Sequence, residues 1–402
     1  MIRPSLTNAE TVAGELRALF ESRGFCRTTP GKFEDYNLYV ENRNFLDCEH
    51  VITFMNMDGN LLALKPDVTL SIVKNMPDGV MPEFEKLYYL DEVYRVSHER
   101  RDYKAVSQIG VELIGPPDPL SNIEAVDLAL EALSLIHAEF VLDISHLGFV
   151  SGMFDSVKLA NVIKTDLMNA IHAKSIYEVR SILERVKTDA KDVADILALA
   201  DLHGPLHKTL PRIKALCRND VMRDAYSELF RLNDVICKNE MADHVFFDVS
   251  VMSDLDYYNG LLLVGYVKDV PKAILSGGRY DNLLRRIGKK SDAIGFAISL
   301  SELNIYQRGA RAQDFDVLIA YHARCDYALL LAEQKRIAAQ GCTVRLEPDF
   351  GVELASELRH EFGSGPRTGP NVFSKAVPGS GFSCGRKYRF TKENELEEVP
   401  PC

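Results

Sequence analysis

Among the eight cysteines there is no C-x-x-C pair and no cysteine-histidine cluster at zinc-ligand spacing, so a zinc module is excluded by pattern and the cysteines read as free thiols in a reducing compartment. His98 and His360 have no companions at metal spacing, and no metal site is expected. An excess of positive charge is also missing. The formal net charge is −11, which disfavours an extended nucleic-acid surface because phosphate binding rests on clustered Lys and Arg. No uninterrupted apolar run approaches the roughly 18 residues of a membrane span, and the opening "MIRPSLTNAETVAGEL" has no apolar core flanked by basic residues. A cytoplasmic protein is the expectation. Internal repeats are absent, and the glycines of "ILSGGRYDNLLRRIG" lack the spacing of a Walker loop or a dinucleotide fingerprint.

What is present is a succession of short elements. Thr7 with Glu10 fits a capping box, and Val12, Leu16, Leu19 and Phe20 recur at helical spacing until Gly24. "FCRTTP" is strand-like and stops at Pro30, which cannot donate to a sheet ladder. "VITFMNMDGNLLALKPD" is two apolar runs around Asp58-Gly59-Asn60, a hairpin signal. Strand-like runs follow in "KLYYLDEVYRVS", "AVSQIGVELIG" and, after a long gap, "HVFFDVS". Helix-forming sequence dominates residues 155–240, after which strands return in "YYNGLLLVGYV" and "KAILSGG", the latter leading through a Gly-Gly turn into a helix. Strands, then helices, then strands favour an α+β fold with an antiparallel sheet flanked by helices over an alternating parallel wrap. This core is expected over residues 1–308, with the helical insertion inside it. A strand, helix, strand succession from Asp314 predicts a small α/β unit over 314–402, interrupted by a flexible Gly-, Pro- and Ser-rich stretch at 363–385. The closing "TKENELEEVPP" is acidic and reads as a solvated end.

Strand alternation in "VSQIGVELIG" puts Gln108, Gly110 and Glu112 on one face and Ile109, Val111 and Leu113 on the other. A face offering an amide, a gap and a carboxylate either floors a pocket that grips an amine or an imidazole, or simply meets solvent. "LKPDVTL" places Asp67 and Thr69 two residues apart, a carboxylate and a hydroxyl that suit an ammonium group or, equally, a turn or helix N-cap. Arg95, His98, Arg100, Arg101 and Lys104 form a basic hairpin loop able to hold a phosphate or carboxylate, or merely to be solvated. In "LDYYNG", Tyr257 and Tyr258 are neighbours. On a strand only one could share a face with Glu112, and either could be core.

Taken in order, these segments resemble the catalytic core of class II histidyl-tRNA synthetases. Pro30 after helix and strand is similar to the dimer-forming first motif, "LKPDVTL" to an L-R-P-E-G-T segment, and "YRVSHERRDYKAVSQIGVELIG" to the second motif. "LDYYNG" resembles the histidine-binding tyrosine segment, "SGGRYDNLL" the G-G-R-Y-D segment, and "AIGFAISLSEL" the third motif. The similarity covers residues 5–305. By this resemblance Asp67 and Thr69 would meet an α-amino group, Gln108 and Glu112 the amine and imidazole, and Tyr257 or Tyr258 the ring, with Arg95 as the second-motif arginine.

The departures fall on the nucleotide side. Ser301-Glu302 stands where the third motif has Glu-Arg, and Ser253 stands about where an arginine precedes the tyrosine segment. Each lost charge-assisted hydrogen bond costs about 1.5–3 kcal/mol, so losing two cations facing the roughly four charges of ATP would weaken transition-state binding about 100-fold to 10,000-fold. Asp67 and Lys65 also replace the family's Glu and Arg. Kept amino-acid contacts without nucleotide contacts resemble the ATP phosphoribosyltransferase regulatory subunits, synthetase-like proteins without catalysis or cofactor. That resemblance implies a short-form catalytic partner, histidine as feedback effector, and regulatory dimers within a hetero-octamer. The alternatives are a divergent histidyl-tRNA synthetase or amino-acid-activating paralogue that recruits Arg279 or Arg100 to the ATP, and an RNA-binding relic, which the acidic charge disfavours.

Overall fold

The first helix, α1 (Asn8–Ser22), buries Val12, Leu16, Leu19 and Phe20 along one side, as their spacing requires. It ends in a Schellman motif: Gly24, at φ 82°, donates to Glu21 O at 3.1 Å, and Phe25 N donates to Phe20 O at 3.0 Å. The computed structural model describes residues 8–41, 51–78, 81, 83–97, 102–186, 188–251, 257–306, 315–322, 324–349, 384–391 and 393–399. Thr7, His98, Arg100, Arg101, Ser253, His360 and most of the 363–385 stretch lie outside those residues. By contacts the chain divides into two units, Leu6–Arg308 and Gly309–Cys402 with Met1–Ser5.

In the larger unit the chain runs through β1 (Cys26–Arg27), β2 (Phe33–Asp35), α2 (Tyr36–Glu41), β3 (Thr53–Met55), β4 (Leu61–Leu64), α3 (Val68–Val73), β5 (Glu85–Ser97), β6 (Asp102–Gly115), α4 (Pro119–Ile136) and β7 (Phe140–His146). A helical stretch follows, α5 (Leu147–Ser156), α6 (Asn161–His172), α7 (Ile176–Arg185), α8 (Ala190–Ala200), the short strand β8 (His203–Pro205), α9 (Leu206–Ala215) and α10 (Asp220–Lys238). The unit closes with β9 (Val245–Asp248), β10 (Leu261–Val267), β11 (Leu275–Arg279), α11 (Asp281–Arg286), β12 (Asp292–Ser299) and α12 (Leu300–Tyr306).

Nine of these strands form one sheet in the order β1-β5-β6-β12-β11-β10-β7-β9-β8, and β2-β4-β3 form a small separate sheet. The predicted hairpin at Asp58-Gly59-Asn60 is the β3–β4 turn, with Gly59 at φ 81°. The long β5–β6 hairpin pairs from Glu85 opposite Ile114 to Ser97 opposite Asp102. On its helix side Ile109, Val111 and Leu113 are buried with residues of α1 and α4 in the main core. Fully burying such a side chain contributes about 1.5–3 kcal/mol relative to leaving it exposed. The opposite side of the sheet carries a second cluster that includes Tyr89, Ile114, Tyr257 and Tyr280.

Two expectations for this unit need correction, and one strand was not expected. The sheet is not wholly antiparallel, because β1 runs parallel to β5 and β7 parallel to β9. The interior strand β7, "FVLDISH", was not among the expected strands. Gly277 and Gly278 are not a turn but lie inside β11, where a Cβ at 277 would collide with Phe296 on the neighbouring strand.

The smaller unit contains β13 (Phe315–Tyr321), α13 (Tyr327–Ala338), β14 (Val344–Pro348), β15 (Cys384–Phe390) and β16 (Leu396–Val399), with sheet order β14-β13-β15-β16. β14 and β15 both run parallel to β13, and β16 pairs antiparallel with β15. Two readings change here. The acidic tail is not merely solvated, because Leu396–Val399 is an edge strand, where exposed Glu397 and Glu398 discourage further pairing. The Gly-, Pro- and Ser-rich stretch also yields to strand structure at Cys384.

Helix α4 shows local sequence fixing an element that supports the sheet. Asp118 accepts from Leu120 N at 3.0 Å, and Pro119 occupies the first turn, where its missing N–H is harmless. Asp118→Ala is expected to cost about 1 kcal/mol, read as a lowered urea midpoint with an unchanged m-value.

Candidate functional site

All seven residues singled out from the sequence, Asp67, Thr69, Arg95, Gln108, Glu112, Tyr257 and Tyr258, line one cavity of about 220 Å³. Its floor is the sheet face opposite the main core. Strand register puts Gln108 opposite Ser299, Gly110 opposite Ala297, and Glu112 opposite Gly295, so β6 and β12 together lay down a floor of alternating small and polar residues. β11 extends it with Ser276, opposite Ala297. One wall is the start of α3, and another is the Tyr257-Tyr258 turn ahead of β10.

Asp67 takes the N-cap position of α3 that "LKPDVTL" suggested, accepting from Leu70 N at 2.8 Å, and also lines the cavity. Burial pushes its carboxyl above the usual range, against the pull of the Leu70 amide, Arg95 and Lys65. Thr69 is the second residue of α3 and donates to Glu112 Oε1 at 2.7 Å. Lys65 does not face a ligand. It is buried and paired to Asp91 Oδ2 at 2.6 Å, anchoring the segment to β5.

Glu112 is the centre of the site. Its second oxygen accepts from Tyr280 OH at 2.6 Å, and the side chain is 2% exposed. Burial, aided by nearby Asp67, pushes its pKa up to about 8 against the two hydroxyl hydrogen bonds. Space for the carboxylate exists because residue 295 is glycine, and a Cβ there would overlap Glu112 Oε2. Tyr280, Tyr89, Ser276 and Gly295 are lining residues that the sequence did not mark. Tyr280 follows the Gly-Gly pair, and reading that pair as a strand rather than a turn would have pointed to it.

Both adjacent tyrosines reach the cavity, contrary to the strand rule. They lie in a turn, not on β10, so alternation does not apply, and their ring centroids sit 4.5 Å apart at 53°. Arg95 approaches from β5, with Nε 3.4 Å from Pro66 O, and among the described lining residues it is the only cation. Arg279, a candidate replacement for lost nucleotide contacts, is committed elsewhere. Its Nε donates to Asp281 Oδ2 at 2.7 Å and its Nη2 pairs with Asp292. Arg100 lies outside the described residues.

At the third-motif-like segment, Ser301 Oγ accepts from Ser107 N at 2.9 Å and Glu302 Oε1 lies 4.0 Å from Lys272 Nζ. Ser301 ties α12 to β6, a structural role. Among the described residues no group of His, Cys, Asp and Glu is arranged to hold a metal, and no helix is long and apolar enough to cross a membrane.

The lining presents two carboxyls, one guanidinium, an amide and several phenols around a volume below the roughly 300 Å³ at which pockets for larger ligands begin. A mostly antiparallel sheet of this order, with the β5–β6 hairpin and the β12–α12 segment around such a cavity, defines a class II aminoacyl-tRNA synthetase-like core. The family profile described as histidyl-tRNA synthetase matches residues 2–303. An ATP phosphoribosyltransferase regulatory subunit from Geobacter sulfurreducens is 31% identical over 303 residues, 73% of this chain and 68% of that protein. One from Oceanobacillus iheyensis is 26% identical over 333 residues, covering 81% and 82%. A solved structure from Bacillus halodurans, described as an ATP phosphoribosyltransferase regulatory subunit/histidyl-tRNA synthetase, shares the fold with a TM-score of 0.73 and 21% identity over 89% of this chain and 94% of that one. The chain belongs to the histidyl-tRNA synthetase family and, within it, to the ATP phosphoribosyltransferase regulatory subunits.

Proposed function

We propose that this chain binds free histidine in the Glu112 cavity and, as the regulatory subunit of a cytoplasmic short-form ATP phosphoribosyltransferase, both supports the catalytic subunit and relays feedback inhibition by histidine. The observation that carries this reading is the composition of the cavity wall. Acceptors and phenols for an amino acid with a basic ring are assembled there, while Arg95 is the sole cation among the described lining residues. Asp67 and Thr69 would hold the α-ammonium group, Arg95 the carboxylate, Gln108 and Glu112 the amine and ring, and Tyr257 with Tyr258 would cover the ring. Feedback requires only that histidine bind one state of the assembly better than another. The assembly proposed is a hetero-octamer built on dimers of this chain.

The test has two arms. The purified chain is expected to give no histidine-dependent ATP–pyrophosphate exchange above a protein-free control. Added to a short-form catalytic subunit, it is expected to raise ATP phosphoribosyltransferase activity, and histidine to suppress that gain. Histidine-dependent exchange, or failure to support any catalytic subunit, would contradict the reading.

A further inference from the structure

Arg279 and Asp281 flank Tyr280 in the chain, and Asn259 follows Tyr258, so three polar residues are joined directly to tyrosines of the cavity. They also hold one another. Asn259 N donates to Arg279 O at 3.0 Å, its Nδ2 donates to Asp281 Oδ2 at 3.0 Å, and Arg279 Nε donates to that same oxygen at 2.7 Å. Strand alternation puts Arg279 with Leu275, a residue of the main core, on the helix side of the sheet, opposite Ser276 of the cavity floor. There it attracts Glu228 of α10. Burial opposes charge on Glu228, yet His146 at the end of β7, Arg279 and the Asn122 amide at 2.7 Å together hold its carboxyl below the usual range. His146 completes the connection, because a Cβ at Gly148 would come within 3.0 Å of its ring and 3.9 Å of Asn259 O. A contiguous polar network thus runs from α10 to the tyrosines on the far side of the sheet from the cavity.

Its pairing is incomplete. His146 Nε2 stands 3.5 Å from Glu228 Oε2 and, like His146 Nδ1, Asn122 Oδ1 and Asn259 Oδ1, makes no hydrogen bond among the described residues. His146 is 6% and Asn122 2% exposed, and unpaired polar atoms at that depth are costly. An approach of about 0.5 Å would bring His146 Nε2 and Glu228 Oε2 to ordinary hydrogen-bond distance, so a slight movement of α10 toward β7 defines a second, better paired arrangement.

Resting on the histidine reading above, we propose that this network is a regulatory latch between the cavity and α10: histidine, by fixing Tyr257, Tyr258 and Tyr280, favours the arrangement in which His146 and Glu228 close on each other. Linkage makes the effect reciprocal. Whatever favours the closed latch strengthens histidine binding, and bound histidine steadies α10 in turn.

The experiment is hydrogen–deuterium exchange over α10 in the full chain, with and without saturating histidine, for the unaltered chain and three variants. Calorimetry shows whether each binds histidine, and thermal melts show that each is folded. Glu228→Gln keeps the size of the side chain and an acceptor for Asn122 but removes the charge, and His146→Gln removes the ring. Asp234→Asn is the control, an exposed α10 carboxylate that pairs with Lys238 outside the network. In the unaltered chain and in Asp234→Asn, histidine is expected to slow exchange around Glu228 about 5-fold. In Glu228→Gln and His146→Gln that ratio should fall below about 2-fold, with histidine affinity reduced about 5-fold. A uniform loosening of α10 leaves the ratio unmoved, so the readout separates a latch from a merely structural contact. Histidine binding without any response in α10 of the unaltered chain would overturn the proposal, as would a full response in folded Glu228→Gln or His146→Gln, or its loss in Asp234→Asn. If one of the two network variants does not fold, the other decides. An unaltered chain that binds no histidine would remove the histidine reading itself, and this proposal with it.

Discussion

Replacing Glu112 with Gln is expected to weaken histidine binding on the order of 100-fold, the loss of one charge-assisted hydrogen bond in a water-excluded site. The substitution keeps the size and planarity of the side chain, so Thr69 and Tyr280 retain a polar partner and the fold is preserved. What disappears is the capacity to balance a positive ring. Calorimetry reads the change, with a thermal melt as the control. An affinity within about 3-fold of the unaltered chain would mean that the ring is held elsewhere in the cavity, because even a weak ionic hydrogen bond contributes more than that.

The second large effect is on pH. Free Glu112 keeps its proton up to about 8, while a free imidazole carries an extra proton only below about 6.5. In the complex, ring and carboxyl share one such proton. Asp67, Arg95, Tyr89, Tyr257, Tyr258 and Tyr280 are the other titratable groups around them in the cavity. Between those two values the free partners together already hold that one proton, so binding neither takes up nor releases one and affinity is flat. Below about 6.5 the partners hold two, one must be released, and affinity falls about 10-fold per unit as pH drops. Above about 8 they hold none, one must be taken up, and affinity falls as pH rises. Dissociation constants measured from pH 5 to 9.5 are therefore expected to give a plateau with two declining limbs. In Glu112→Gln the limb due to the carboxyl should be lost, leaving only the decline that deprotonation of histidine's own α-ammonium group produces.

Much of the site is readable from local pattern. The two-residue period of β6 alone separates Ile109, Val111 and Leu113, which are buried in the main core, from Gln108 and Glu112, which line the cavity. Asp67 and Thr69 are readable because a capping residue ahead of an apolar helix has a fixed chemical signature, although that signature cannot say that the same carboxylate also lines a cavity. What the sequence hides is pairing across distance. Tyr280 reaches Glu112 from 168 residues away, and Tyr89 meets Gly110 only because the β5–β6 register brings them face to face. Gly295 reads as an ordinary small residue until β12 is laid against β6 and Glu112 fills the missing side chain's place. The strand β7 and the edge strand β16 were hidden for different reasons. One is a seven-residue stretch set directly between two helices, and the other carries the exposed charges that protect a sheet edge.

The most direct measurement is calorimetric titration of the isolated chain with histidine, with magnesium-ATP as the control. A saturable heat with one histidine per chain and none with ATP is the expected result. Saturable ATP binding in the same concentration range, or no heat with histidine, would contradict the assignment of this cavity to an amino-acid sensor.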